Sequence, residues 1–237
     1  MTIPGRDYIN AEKKQYHSDE IMGDLGWQHY WNPDYYINAF VADYSNDVYL
    51  GVRWAGAGSL PLVSQPFAGI STYPKGSRPA FLYAMYIRHF VFEGPSIVIT
   101  HEIGHMLALH HTFNLTDCNN DSDYCEDTYV YNQGAPRSVL GFKKVVTCNE
   151  QEVIPTNYMD YLGEFNSFTL DQLTRARHVI NYGLWLPTPF NGRSPGGGRR
   201  SAAPGYVQRP AVIANVKPVP CSIPPNPSKT FGGPTLR

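Results

Sequence analysis

His101-Glu102-Ile103-Gly104-His105 limits this 237-residue chain more than any other stretch, because its spacing demands a particular backbone. Residues four apart on an α-helix point the same way, so a helix here offers two imidazole nitrogens to one metal. Glu102 lies one step round from His101. It is too close to be a comfortable third ligand, and well placed to take a proton from a water on that metal. A tetrahedral catalytic zinc takes three protein ligands and keeps one position open. His111, six residues after His105, is the natural third. For it to swing back, the helix must stop near 107–109, since a continued helix carries position 111 off the metal-facing side. His110 competes for the same place.

Downstream lies Asn157-Tyr158-Met159-Asp160-Tyr161. His101-Glu-x-x-His105 with His111, followed by a Met-containing turn, resembles the metzincin zinc endopeptidases. The finer pattern, HExGHxLxLxHTF, then a paired-Asp segment, then NYMDY, resembles their pappalysin (cytophagalysin) family over about residues 35–180. That resemblance implies an α+β, metzincin-like zincin fold with a mixed sheet, a zinc-binding active-site helix and a C-terminal helix. It implies zinc held by His101, His105 and His111, with Glu102 as general base in the hydrolysis of peptide bonds. Met159 takes by position the place of the Met that packs beneath the zinc. Tyr161 matches the tyrosine that in some metzincins stabilises the anionic intermediate, which a phenol does by donating a hydrogen bond. One position departs from the pattern. The family has Gly three residues after the second His, where the helix turns sharply, and here that residue is Ala108. A Cβ at positive φ costs roughly 1–2 kcal/mol.

Strand signals precede the motif. Tyr35–Val41 is aromatic and β-branched and reads as a central strand, Val48–Trp54 as a second, and Phe81–Phe92 as a buried strand or two. In the family, the strand before the zinc helix pairs with extended substrate, and the resemblance assigns that part to Gly51, Val52, Arg53 and Trp54. The physics is β-augmentation, in which backbone hydrogen bonds hold any sequence and side pockets choose among them. His89 reads as structural. Gly94-Pro95-Ser96 starts the zinc helix, where a proline's missing N–H costs nothing.

The loop Asp117–Thr128 is acidic, and clustered carboxylates with Asn oxygens are what a hard cation such as calcium prefers. The resemblance places a calcium site near Asp123 and Asp127, with Asp121 between them and the start of the loop. It also implies a disulfide in this segment, Cys118 or Cys125 to Cys148. Four cysteines permit three full pairings, Cys221 included. No CxxC pair exists for a structural zinc. Cysteine usage therefore suits an extracellular or secreted protein.

Ser167–Gln172 opens the last helix with a capping box, Thr169 with Gln172, and Leu170, Leu173, Ala176 and Ile180 read as its packing face. Residues 1–190 thus read as one metallopeptidase domain and 191–237 as a basic, Pro/Gly-rich tail or arm. That arm carries nine prolines and seven Lys+Arg with no Asp or Glu, leaving 12 basic and 20 acidic residues in the body. Such an arm does not order alone; if ordered, it is held by the body or a protein partner. Its aromatics are too sparse to favour nucleic acid. No apolar run reaches the length of a membrane span, and the N-terminus carries no signal-peptide core. A reading from a different class is a docking component of a larger assembly, a virion or a surface complex, that keeps the fold and attaches through its tail.

Overall fold

A computed structural model describes residues 16, 18–44, 55–75, 81–93, 97–114, 117–119, 122–134, 139–140, 144–187 and 219–221. Short helices α1 (Ser18–Met22) and α2 (Asp24–Gln28) lead into β1 (Asn38–Ala42). Strands β2 (Gly56–Gly58), β3 (Leu62–Val63), β4 (Ser71–Thr72) and β5 (Ala84–Arg88) follow. A 3-10 turn over His89–Glu93 then gives way to helix α3 (Ile97–Met106). Strands β6 (Val139–Leu140), β7 (Lys144–Val146) and β8 (Glu152–Val153) come next, then helix α4 (Leu170–Tyr182) and β9 (Val219–Cys221).

The main sheet has the order β1-β5-β2-β9. β1 runs parallel to β5, β2 antiparallel to β5, and β9 antiparallel to β2. This mixed sheet with packed helices is the α+β arrangement expected. β3 pairs with β4, and β6, β7 and β8 form a small antiparallel sheet beside the acidic loop.

Alternation along β5 explains why helices lie on both faces. Met85 and Ile87 join one core cluster, with Val98 and Met106 of α3 and Val179 of α4. Ala84 and Tyr86 join the other, with Trp27, Tyr30 and Phe40. A strand buried on both faces reads as a near-continuous apolar run, as Phe81–Ile87 does. The Tyr83 hydroxyl donates to the Met106 carbonyl and ties β5 to the end of α3.

The seating of α3 depends on two glycines in β2. A Cβ on Gly58 would stand 2.5 Å from the Glu102 carbonyl oxygen and 2.9 Å from His105 Cβ. One on Gly56 would stand 2.9 Å from Glu102 Oε1. Only residues without side chains let the sheet approach the helix this closely.

Several expectations shift. The segment read as a central strand is β1, which lies at an edge of the described sheet, with Val41 facing solvent. Aromatic and β-branched richness reports a half-buried pleated surface, not a place within the sheet. Val48–Trp54 lies outside the described residues. Phe81–Phe92 makes one buried strand, within the expected strand or two, and a 3-10 turn follows it. On α4 the capping box forms as expected. Its buried face, however, is Gln172, Arg175, Ala176 and Val179, while Leu170 is 76% exposed. Beyond residue 190, β9 joins the body's own sheet.

Gly58→Ala should fold but lose stability, since the atoms it meets are backbone and Cβ and cannot rotate away. Overpacking of this kind costs about 1–3 kcal/mol. A thermal melt should fall by roughly 2–12 °C, at about 2–4 °C for each kcal/mol in a chain this size.

Candidate metal centre

The metal-facing geometry is built from three histidines. His111 Nε2 lies 3.1 Å from His105 Nε2 and 3.1 Å from His101 Nε2. His101 and His105 are fully buried. His101 Nδ1 sits 2.6 Å from the Tyr158 carbonyl oxygen, and His105 Nδ1 sits 2.8 Å from that of Leu109. A carbonyl only accepts, so each Nδ1 carries the proton and each Nε2 presents a bare lone pair. The bare lone pairs of His101 and His105 both face His111 Nε2, an arrangement that a cation satisfies, and three neutral imidazoles suit zinc. Tetrahedral zinc at about 2.0–2.1 Å from each nitrogen would set them roughly 3.3 Å apart, close to the spacing observed. The donor set therefore fits the metal. Among the described residues it is the one group of three or more His, Cys, Asp or Glu close enough to hold an ion.

Burial keeps these rings neutral. It pushes His101 down to about 4, the bond to the Tyr158 carbonyl opposing the shift only in part. Burial lowers His105 and His111 well below the ordinary range, with mutual repulsion among the histidines adding to it.

His111 reaches the other two because α3 stops at residue 106. The Leu109 N–H bonds the Gly104 carbonyl at 2.9 Å, and the Ala108 N–H bonds that of His105 at 2.9 Å. This pair of bonds closes a Schellman cap, with Ala108 at the left-handed position usually given to glycine, φ +64°. Arg175 of α4 holds the strained turn. Its Nε and Nη2 donate to the Ala108 carbonyl at 3.2 and 3.1 Å, and its Nη1 to the Ala68 carbonyl at 2.8 Å. The cation also lies over the Phe67 and Tyr124 rings. His110 faces away from the cluster, with its ring 5.6 Å from that of Tyr124.

The turn at 157–161 floors the site. Met159 is fully buried, and its sulfur occupies the space a Cβ on Gly104 would need. Asn157 and Gln172 exchange side-chain hydrogen bonds at 2.8 and 3.2 Å, fastening this turn to the start of α4. Asp160 accepts from the hydroxyls of Tyr131 at 2.8 Å and Thr112 at 3.0 Å, and from the N–H groups of Tyr161 and Leu162. Burial raises its pKa, and those four donors pull the other way. Thr112 follows His111, so the carboxylate links the floor to the third histidine. The Tyr161 ring packs 4.6 Å from that of His111 and 5.8 Å from that of His101. Glu102 is fully buried beside Gly56.

Other predicted positions separate from this centre or lie outside it. Gly51, Val52, Arg53, Trp54 and Asp121 fall outside the described residues. Asp123 accepts from the Cys125 N–H and the Thr128 hydroxyl, each at 2.9 Å. Asp127 accepts from the Asp171 N–H at 3.0 Å, at the first turn of α4. Both carboxylates thus have protein donors, a structural use of the loop that its composition did not reveal. Cys118 pairs with Cys148, one of the two pairings the resemblance implied. Cys125 stays reduced and buried, its thiol pushed up to about 12 by burial first and by Asp123 next. His178 bonds the Gln65 carbonyl and so plays a structural part.

Sequence reasoning passed over Gly56, Gly58 and Arg175. The small-residue run Ala55–Ser59 carried a signal, since glycines within a strand mark close backbone approach. Arg175 looked like a solvated helix residue and carried none.

The sequence profile of peptidase family M43, described as pregnancy-associated plasma protein-A, matches residues 23–181. A protein of Colletotrichum graminicola described as an extracellular metalloprotease is 40% identical over 80 residues. That match spans 32% of this chain and 28% of the relative's own length.

Two measurements check the geometry. His111→Ala should lose the roughly one equivalent of zinc bound by the wild type, and His110→Ala should keep it. Ala108→Gly should raise stability by about 0.5–1 kcal/mol, the relieved left-handed strain exceeding the extra unfolded-state entropy.

Proposed function

The chain belongs to the pregnancy-associated plasma protein-A family of metallopeptidases, and from that membership we propose a zinc-dependent endopeptidase that acts outside the cell. The observation that carries the proposal is the convergence of the Nε2 atoms of His101, His105 and His111, two of them freed of a proton by carbonyls at their Nδ1 atoms. Bound zinc supplies Lewis acidity, polarising a carbonyl and lowering the pKa of water toward about 7.

The chain's own residues do the rest in this reading. Glu102 accepts the proton of the attacking water and returns it to the departing amine, so that H and OH add across the C–N bond as it breaks. Its burial against β2, over Gly56, holds the carboxylate without a search over rotamers. Tyr161, packed on the His111 ring, is the candidate donor to the developing oxyanion. Met159 gives the histidines an apolar floor. The substrate is an extended polypeptide, held through backbone hydrogen bonds as the sequence expectation for Gly51–Trp54 supposed. An extracellular setting agrees with the Cys118–Cys148 disulfide, which persists in oxidising compartments. No feature of the described residues favours the docking-component reading.

The test is cleavage of an unfolded protein such as reduced casein. The wild type should cut it, a zinc chelator should stop it, and added zinc should restore it. Glu102→Gln, with zinc still bound, should lower kcat by roughly 10²–10⁴-fold. A folded, zinc-loaded wild type that leaves the substrate intact would sink the proposal.

A further inference from the structure

β2 presents two different edges. The Ser59 N–H bonds the Ala84 carbonyl at 3.1 Å, and the Arg88 N–H bonds the Ala55 carbonyl at 3.0 Å. Odd-numbered residues of this segment therefore turn their backbone groups toward β5. In an antiparallel strand the polar groups of successive residues alternate sides, so Gly56 and Gly58 turn theirs to the opposite edge. These are the two residues in closest approach to Glu102 and His105. The outer edge of β2 is thus a row of backbone donors and acceptors beside the metal centre.

In the full chain that edge is filled by β9, antiparallel, with Gly56 opposite Cys221, Ala57 opposite Pro220 and Gly58 opposite Val219. Pro220 has no N–H, so the Ala57–Pro220 pair lies at a position without hydrogen bonds. The bonds fall to Val219 and Cys221, which meet the two outward-turned glycines. Proline at the middle position also leaves no donor on the far side of β9, and ends the sheet there. Pro220 confines Val219 to extended backbone, which lowers the entropy lost when this strand docks.

We infer that Val219–Cys221 of the chain's own C-terminal segment are the resident occupant of the outer edge of β2, the edge on which an extended polypeptide would dock. The inference rests on the peptidase reading for its consequence. An extended substrate needs the same backbone groups of Gly56 and Gly58, so it must displace β9, which acts as an intramolecular competitor. Tethering gives that competitor a high effective concentration.

The test uses the full chain. Val219→Pro removes one of the two β9 donors, and Cys221→Ser leaves the ladder intact. Against an unfolded substrate, V219P should show a KM several-fold below wild type at unchanged kcat and zinc content, and C221S should match wild type. A fluorescent peptide of residues 215–223 bearing Ser at 221, followed by anisotropy, should bind V219P and not the wild type. Equal KM and equal peptide binding in V219P and wild type would overturn the inference. So would a KM shift in C221S as large as that in V219P, which would assign the effect to the thiol. If neither chain cleaves while the peptide still separates V219P from wild type, the docking edge stands and the peptidase reading falls.

Discussion

The left-handed turn at Ala108 is the constraint on which the centre depends. Without it α3 continues, and His111 leaves the side of the helix that carries His101 and His105. An alanine there opposes the turn by roughly 1–2 kcal/mol relative to glycine, so other contacts must hold it. The Schellman bonds of Ala108 and Leu109 contribute, and Arg175 contributes more, because a charged donor makes the stronger hydrogen bond. The Arg175 side chain is almost fully buried, and its contacts are three carbonyl bonds and two aromatic faces. One side chain from α4 thereby sets where α3 ends.

The same logic runs through the remaining buried polar groups. Asn157 with Gln172 ties the methionine turn to α4, and Asp160 ties that turn to Thr112. His101 in turn donates to the Tyr158 carbonyl within the turn. Three segments, α3, the adjoining residues 109–113 and the distant residues 157–162, are thus joined by satisfied hydrogen bonds in the interior. Such bonds are costly to leave half-made, so the segments keep one mutual arrangement. Rigid supports of this kind hold ligating nitrogens in place before a metal arrives.

Much of the centre was readable from residues 101–113 and 157–161, because helical spacing and the required helix stop are local. The capping box of α4 was local too. What was hidden depends on partners distant in sequence. The buried face of α4 was misread because Gln172 and Arg175 are polar and periodicity counts only apolar residues, whereas burial accepts polar groups whose hydrogen bonds are met. The donors that Asp123 and Asp127 meet, the Thr128 hydroxyl for one and the Asp171 N–H of α4 for the other, likewise appear only once the loop is folded. Val219–Cys221 gave no strand signal among so many prolines, since an edge strand needs only alternate donors.

Gly56 and Gly58 connect these two scales. On one side their missing side chains admit Glu102 and His105; on the other their backbone groups form the outer edge that β9 fills. A substitution that adds a side chain at either position pushes the base and the ligand-bearing helix. A change in what pairs with the edge acts on the backbone of the same two residues. Occupancy of the edge and the seating of Glu102 therefore meet in a strand only three residues long. Only the seating demands glycine: strand side chains stand perpendicular to the sheet, so a Cβ would strike α3 while leaving the backbone groups that face β9 in place.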